Sequence, residues 1–136
     1  MKLQKNSRLA LYSVLEFAAR PAEHVPAAEV ARTYGESPHH LAKVLSELTR
    51  AGIVESIRGA GGGYRFIANP RRLTLLDVIR LFENLGDEPP AAAGPPAERA
   101  LGKVLAEIDQ LALATFGSIT IATMLLMMQR AGGAKP

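Results

Sequence analysis

Residues 36–67 read ESPHHLAKVLSELTRAGIVESIRGAGGGYRFI, and the first part of this segment has the pattern of a short amphipathic helix. Ser37 is a suitable N-cap because its hydroxyl can accept a hydrogen bond from a first-turn amide, and Pro38 suits the first helical position. Gly52 ends the helix. The apolar side chains form one stripe at helical spacing: Leu41, Val44, Leu45 and Leu48. The opposite side is polar and basic: His39, Lys43, Ser46 and Arg50. A helix with an apolar back and a basic front is typical of a recognition helix for the major groove of DNA.

A β-hairpin is predicted directly after this helix. Ile53–Arg58 partly alternates apolar and polar residues, as a half-buried strand does, and Tyr64–Ile67 is a second strand candidate. The glycine-rich residues 59–63 join the two strands. A helix followed by a hairpin with a glycine tip indicates a winged helix-turn-helix. Two arginines near the loop could contact a phosphate backbone or enter a minor groove: Arg58 and Arg65.

Composition restricts the function further. The chain has 136 residues and is 48% hydrophobic, so it can bury one modest core. Residues 1–85 contain 12 Lys and Arg against 8 Asp and Glu, whereas residues 86–136 contain 4 against 5, so the positive charge lies with the helix and hairpin. The absence of cysteine excludes disulfides, thiolate nucleophiles and cysteine-ligated zinc or iron–sulfur centres. We expect no cofactor and no metal.

Neither an enzyme nor a membrane protein is expected. The residues do not assemble a nucleophile, a base and an orienting group, so no catalytic residue is predicted. The apolar segment 119–128 is only ten residues long, which is too short to span a bilayer. We therefore expect a cytoplasmic location and no membrane contact. The adjacent His39 and His40 would point about 100° apart on a helix, so DNA contact or simple exposure is favoured over a shared metal ion.

Two helices are predicted before the recognition helix. The first is capped by Asn6 or Ser7 and reaches about Arg20, and the second covers Ala27–Tyr34 and is closed by Gly35. The buried stripe of the first helix is Leu11, Val14, Leu15 and Ala18, and the second turns Val30 and Ala31 inward. Three helices with a short turn before the third are the order of a helix-turn-helix.

A fourth helix and a linker complete the predicted DNA-binding domain, residues 1–86. Thr74 is an N-cap with Asp77 three residues later, a variant of the capping box, and Gly86 ends the helix. Its predicted apolar face consists of Leu75, Val78, Ile79, Phe82 and Leu85. Residues 87–97 read DEPPAAAGPPA, an Ala/Pro-rich linker loop.

Residues 98–136 are predicted to contain a dimerisation helix and a methionine-rich last helix, Ile119–Arg130. The apolar stripe of the first of these is Leu101, Val104, Leu105, Ile108, Leu111 and Ala112. We expect the first five to form a dimer interface, because this segment has nothing of its own to pack on. A two-fold dimer would place two recognition helices about 34 Å apart, as a palindromic operator requires. Whether the last helix packs on its own subunit or on its partner stays open, and its methionines suit a core, an interface or, less readily, a ligand pocket.

The segments SPHHLAKVLSELTRAGIVESIRGAGGGYRF and NPRRLTLLDVIRLFE, with the long helix after them, resemble the IscR/NsrR/CymR family of bacterial winged-helix regulators. The resemblance covers essentially the whole chain. It implies a mainly α fold with a small β-hairpin and a homodimer that binds double-stranded DNA, with the recognition helix in the major groove and the wing in the adjacent minor groove. The implied contacts are Ser37, His39, His40, Lys43, Arg58, Gly59, Gly61, Gly62 and Tyr64, with Ser7 and Arg8 near phosphate.

One departure from the family separates this chain from many members. Those members hold an iron–sulfur cluster on three cysteines between the fourth helix and the dimerisation helix, where this chain has neither cysteine nor histidine. The resemblance therefore points to the cluster-free branch, which responds to a partner protein or to an effector of unknown identity. The expected function is that of a sequence-specific transcriptional regulator, and a repressor is expected because repression is the commoner mode in the family that the chain resembles. The alternative is a winged-helix module that binds a partner protein and has lost operator binding.

Overall fold

The structure, a computed structural model, describes residues 2–86 and 93–132. Within them it contains six helices and one two-stranded antiparallel sheet, so the predicted mainly α fold with a small hairpin is confirmed. The elements are α1 Lys5–Ala19, α2 Ala27–Tyr34, α3 Pro38–Arg50, β1 Val54–Ile57, β2 Gly63–Phe66, α4 Leu75–Ile79, α5 Pro96–Ser118 and α6 Ile121–Ala131.

The helix-turn-helix follows the sequence pattern closely. Helix α2 has the predicted bounds, and Gly35 closes it in the left-handed region with φ of 62°. The hydroxyl of Ser37 accepts a hydrogen bond from the backbone N–H of His40 at 3.0 Å, which confirms it as the N-cap of α3. The four predicted stripe residues of α3 are all buried. The apolar back of α3 is therefore fixed against the core and its polar front is turned outward.

Helix α1 lies at the centre of this core and contacts α3, α4, α6 and β2. Its predicted stripe is buried, and Phe17 is completely buried as well. The predicted cap was wrong. Helix α1 begins at Lys5, no side chain of its own first turn caps it, and Ser7 lies inside the helix. The carboxylate of Glu83 instead accepts hydrogen bonds from the Gln4 backbone N–H at 2.9 Å and from the Ser7 hydroxyl. A negative charge at this end of a helix is favourable, so Glu83 caps α1 from outside it.

The hairpin pairs Val54 with Phe66 and Ile57 with Gly63. Strand β1 is two residues shorter than predicted, and β2 has the predicted length but begins and ends one residue earlier. Val25, in the loop before α2, extends the sheet by pairing with Tyr64 through two backbone hydrogen bonds of 2.8 and 2.9 Å. The base of the hairpin is thus joined to the helical core, whereas its tip extends away from the strands.

Helix α4 is shorter than its apolar pattern indicated. The capping box of Thr74 and Asp77 is present, but the helix ends at Ile79 and does not continue to Gly86. After Ile79 two amides, those of Leu81 and Phe82, bond to the carbonyl three residues before them, so the backbone leaves the α-helical path as successive turns. Phe82 and Leu85 still pack against the core. The apolar spacing therefore predicted their packing correctly and their backbone wrongly.

The segment after α4 returns to the same core. The predicted linker, residues 87–97, lies mostly outside the described residues, and its last two residues already belong to α5. The N–H of Leu75 donates to Ile119, the N–H of Ile121 donates to Leu73, and Ile121 is completely buried. In the single chain, helix α6 therefore packs on its own winged-helix core. Among the described helices, none is both long and apolar enough to cross a membrane.

Candidate nucleic-acid interface

The front of α3 presents an ordered set of polar side chains. His39, Lys43, Ser46 and Arg50 are all exposed, as is the N-cap Ser37. A groove of about 460 Å³ runs beside this front and is lined partly by Asn6, His39, Lys43, Glu47 and Phe82. An imidazole and a hydroxyl can donate to or accept from base edges, an ammonium can donate to them, and the amides at the start of a helix favour a phosphate. The front of α3 therefore has the chemistry for both base and backbone contacts.

One cation on the α3 front forms an ion pair within the helix. Glu47 accepts a hydrogen bond from the Arg50 guanidinium at 2.6 Å, one helical turn away. Both side chains are well exposed, so the pair contributes little to stability. Its effect is to occupy Arg50, whereas Lys43 takes part in no ion pair among the described residues. Lys43 is consequently the better placed of the two for a phosphate or a guanine.

His40 differs from its neighbour His39. It is half-buried, and its Nε2 atom is inaccessible to solvent and has no hydrogen-bond partner among the described residues. The sequence predicted both histidines on the DNA-facing side, but only His39 is fully exposed there. The pKa of the nearby Glu36 is lowered, chiefly because its carboxylate accepts the Ser37 N–H, and in addition because of Lys5 and the electrostatic influence of His40.

Arg58 lies exposed at the start of the glycine-rich tip, as the sequence predicted. Gly59 and Gly61 have positive φ values of 96° and 75°. Gly62 has no room for a side chain, because a Cβ there would lie 2.3 Å from the Ile57 carbonyl oxygen. The tip is therefore a closely packed backbone turn that carries Arg58.

Two other predicted wing residues have structural partners. Arg65 donates to the Glu55 carboxylate on the facing strand at 2.6 Å, which leaves it less available to phosphate than Arg58. The ring of Tyr64 stacks on Phe17 with 5.8 Å between centroids. Tyr64 therefore anchors the hairpin to the core, and its contact with DNA stays a prediction.

The start of α1 presents cations but not the predicted hydroxyl. Arg8 is exposed, and Lys5 forms an ion pair with Glu36 at 3.2 Å. Ser7 is completely buried and donates to Glu83, so its predicted phosphate contact is corrected. Sequence reasoning missed Asn6, which is exposed and lines the groove beside α3. Its position depends on how α1 packs against α3, and no local pattern reports that packing.

A second face of the molecule is apolar and exposed. None of the residues of α5 is buried. The five predicted interface residues retain between 52% and 68% of their accessible surface: Leu101, Val104, Leu105, Ile108 and Leu111. A stripe of this length on one helix is larger than the isolated apolar residues that ordinary protein surfaces carry.

The described residues contain no group of three or more His, Cys, Asp or Glu side chains placed to hold a metal ion. The two adjacent histidines at the start of α3 differ in burial.

Comparison with known proteins agrees with this surface chemistry. BadM of Rhodopseudomonas palustris, whose name describes an HTH-type transcriptional regulator, is 50% identical over 127 residues, which cover 92% of this chain and 81% of BadM. The transcriptional regulator CymR of Bacillus subtilis is 36% identical over 99 residues, covering 67% of this chain and 72% of CymR.

Solved structures show the same architecture. The structure of B. subtilis CymR, described as the global cysteine regulator, matches with a TM-score of 0.79 at 27% identity and covers 93% of this chain and 98% of its own. The structure of IscR from T. potens matches with a TM-score of 0.75 at 26% identity, and the match covers 100% of this chain and 94% of the IscR chain. Residues 3–126 match the Rrf2 family, which is described as an iron-dependent transcriptional regulator. The chain has a winged helix with a basic recognition front, and it matches this family over nearly its whole length. The protein therefore belongs to the Rrf2 family of transcriptional regulators.

Proposed function

We propose that this Rrf2-family regulator is a homodimeric repressor that binds a palindromic operator in the bacterial cytoplasm. The observation that carries the proposal is the exposed polar and basic front of α3, held on a fully buried apolar back. A helix held in this way can enter the major groove without losing core contacts.

The described contacts divide into two roles. Lys43, Arg58 and Arg8 are exposed cations and supply salt-dependent affinity for phosphates. His39 and Ser46 on the α3 front supply hydrogen bonds to base edges, and Lys43 can also bind the O6 and N7 atoms of guanine. The amino end of α3, which Ser37 caps, can bind a phosphate, because the helix dipole favours negative charge there. Glycines 59, 61 and 62 act by shaping the tip that carries Arg58.

The exposed stripe of α5 supports the dimer. Burying one such aliphatic side chain fully is worth about 1.5–3 kcal/mol, and these are about half exposed in the single chain. Two copies of the stripe would bury ten aliphatic side chains, enough to offset the cost of bringing two chains together. A two-fold dimer joined through α5 would present two recognition helices to successive turns of DNA.

The residues of this chain do not fit the iron centre that the family description suggests. The sequence has no cysteine, so a thiolate-bound cluster has no ligands here. The described residues also supply no alternative group of three ligands. We therefore propose a regulator that works without a cysteine-ligated iron–sulfur cluster, and whose signal is an effector or a partner protein.

The test is to select bound fragments from genomic DNA with the full chain and to titrate the best fragment at several salt concentrations. We expect a palindrome of about 20–30 bp, as two half-sites on adjacent turns require. Lys43→Ala and Arg58→Ala should each weaken binding. Each should also reduce the salt slope, which is the slope of log K against log salt concentration, by about 0.9 per lost phosphate contact, or about 1.8 per dimer.

The matched controls are Lys103→Ala and Arg99→Ala, which remove exposed cations from α5. They should leave the salt slope unchanged. If the α3 and wing variants behave like these controls, DNA binding does not use α3 and the wing. If no fragment is enriched at any salt concentration, the protein-interaction module becomes the better account.

A further inference from the structure

A groove of about 600 Å³ lies on the side of the core formed by α1 and α6. Its walls include Ala18 at the end of α1 and, on α6, Ala122, Leu125, Leu126 and Met128. Arg71, from the loop between β2 and α4, lies at its edge. A mostly apolar groove of this size with a single cation is within the range of small-molecule sites.

The loop that carries Arg71 is held firmly in place. The Asn69 side-chain oxygen accepts the backbone N–H of Arg71 at 2.9 Å. The backbone N–H of Ala122, on α6, donates to the Pro70 carbonyl at 2.8 Å and joins this turn to the groove wall. Among the described residues, no carboxylate forms a salt bridge with Arg71. The backbone of Arg71 is thus held beside an apolar groove, and its exposed guanidinium forms no salt bridge with the described part of the chain.

The shape of the groove restricts the ligand. The alanines of α1 and α6 leave space between the helices, and the leucines and Met128 enclose it. From Ala122 to Gln129 the α6 wall spans eight residues, or about 10 Å at a rise of 1.5 Å per residue. An extended chain of about eight carbons has a similar length, and methionine adapts to such a chain more readily than a branched side chain does.

We propose that this groove binds a linear medium-chain carboxylate, with its hydrocarbon chain along α6 and its carboxylate paired with Arg71. Charge complementarity selects the anion, because an uncharged or cationic ligand of the same length would leave the arginine without a partner. The proposal goes beyond DNA recognition and is tested without DNA, so its failure would not affect the proposed function.

The probe is sodium octanoate, titrated calorimetrically into the full chain. We expect saturable binding with one molecule per chain. Octanamide and octylamine, which have the same length without the negative charge, should bind at least about 10-fold more weakly, as the loss of one charge-assisted hydrogen bond implies.

Two variants locate the site. Arg71→Gln should weaken octanoate binding at least about 10-fold, whereas the neighbouring Arg72→Gln, which is equally exposed but does not line the groove, should change it less than twofold. Ala19→Leu adds volume to the groove from an exposed position and should abolish binding while the far-ultraviolet circular dichroism spectrum is kept.

Three results would overturn the proposal. The first is the absence of saturable octanoate binding by the intact protein. The second is binding that Arg71→Gln and Ala19→Leu both leave unchanged, since the ligand would then lie elsewhere. The third is a change of oligomeric state in the groove variants together with no octanoate binding, which would mean that a second copy of the chain covers the groove.

Discussion

Replacing Gly62 by alanine tests whether the wing is a rigid DNA-binding element. A Cβ at this position would lie 2.3 Å from the Ile57 carbonyl oxygen and 2.8 Å from the Gly59 carbonyl oxygen. Both obstacles are backbone atoms, so no side-chain rotation relieves the overlap and the tip must open. Opening breaks the hydrogen bond from the Gly62 N–H to the Gly59 carbonyl, 2.9 Å long, which is worth about 0.5–1.5 kcal/mol.

The consequence for DNA binding should exceed the consequence for stability. The tip is outside the core, so we expect the free energy of unfolding to fall by only about 1–2 kcal/mol, the lost hydrogen bond together with local strain. The adjoining Arg58 would lose its position at the tip in both subunits of the proposed dimer. We therefore expect the affinity for operator DNA to fall and the salt slope to decrease by about 1.8, two contacts at about 0.9 each.

Gly61→Ala is the matched control. No atom lies within 4 Å of a Cβ at Gly61, and its φ of +75° is the only obstacle. Alanine there should cost about 1–2 kcal/mol in backbone strain but can keep the shape of the tip. Fluorescence anisotropy with labelled operator DNA at several salt concentrations measures the affinity and the salt slope. Hydrogen exchange of the hairpin amides measures the opening of the tip. If Gly62→Ala keeps wild-type hairpin protection and wild-type affinity, the Ile57 carbonyl yields easily and the argument from packing is wrong.

Three further predictions concern the fold. Thr74→Ala removes the hydroxyl that accepts the Asp77 N–H at 3.1 Å and should lower the free energy of unfolding in urea by about 1 kcal/mol. Leu48→Ala empties a completely buried position and should cost about 2–5 kcal/mol in the same assay. Burial and a 2.7 Å hydrogen bond to Glu16 raise the pKa of Tyr34 above its usual 10.0. The unfolded chain therefore releases this proton at a lower pH than the folded chain, and stability is lost as pH rises above about 10. Tyr34→Phe should flatten the fall in melting temperature between pH 9 and 11.

The elements predicted well are those whose signals are local. Helix α2 has its predicted bounds because Pro26 and Gly35 mark its two ends through backbone geometry alone. Helix α3 is equally local, since Ser37 and the apolar stripe lie within its own sequence. In such segments the burial pattern, the cap and the turn residue all favour the same structure.

The failures depend on contacts between distant residues. Glu83 caps α1 across a separation of 79 residues from Gln4, and that contact removes Ser7 from the surface. The family resemblance implied a DNA contact at Tyr64, but no local pattern indicated that its ring stacks on Phe17 in α1. Helical periodicity cannot distinguish a continuing helix from successive turns that keep the same side chains inside, which is why α4 was predicted too long.

Helix α1 links the proposed DNA-binding surface to the rest of the core. It contacts α3, which carries proposed DNA contacts, and β2, which is one strand of the wing, and it also contacts α4 and α6. The wing is joined to α1 through Tyr64 and Phe17, and the start of α1 is held by Glu83, just before the segment that leads to α5. A close-packed core transmits small shifts as discrete repacking. We therefore expect a ligand beside α6 to affect the recognition helix and the wing together, because both are packed on α1.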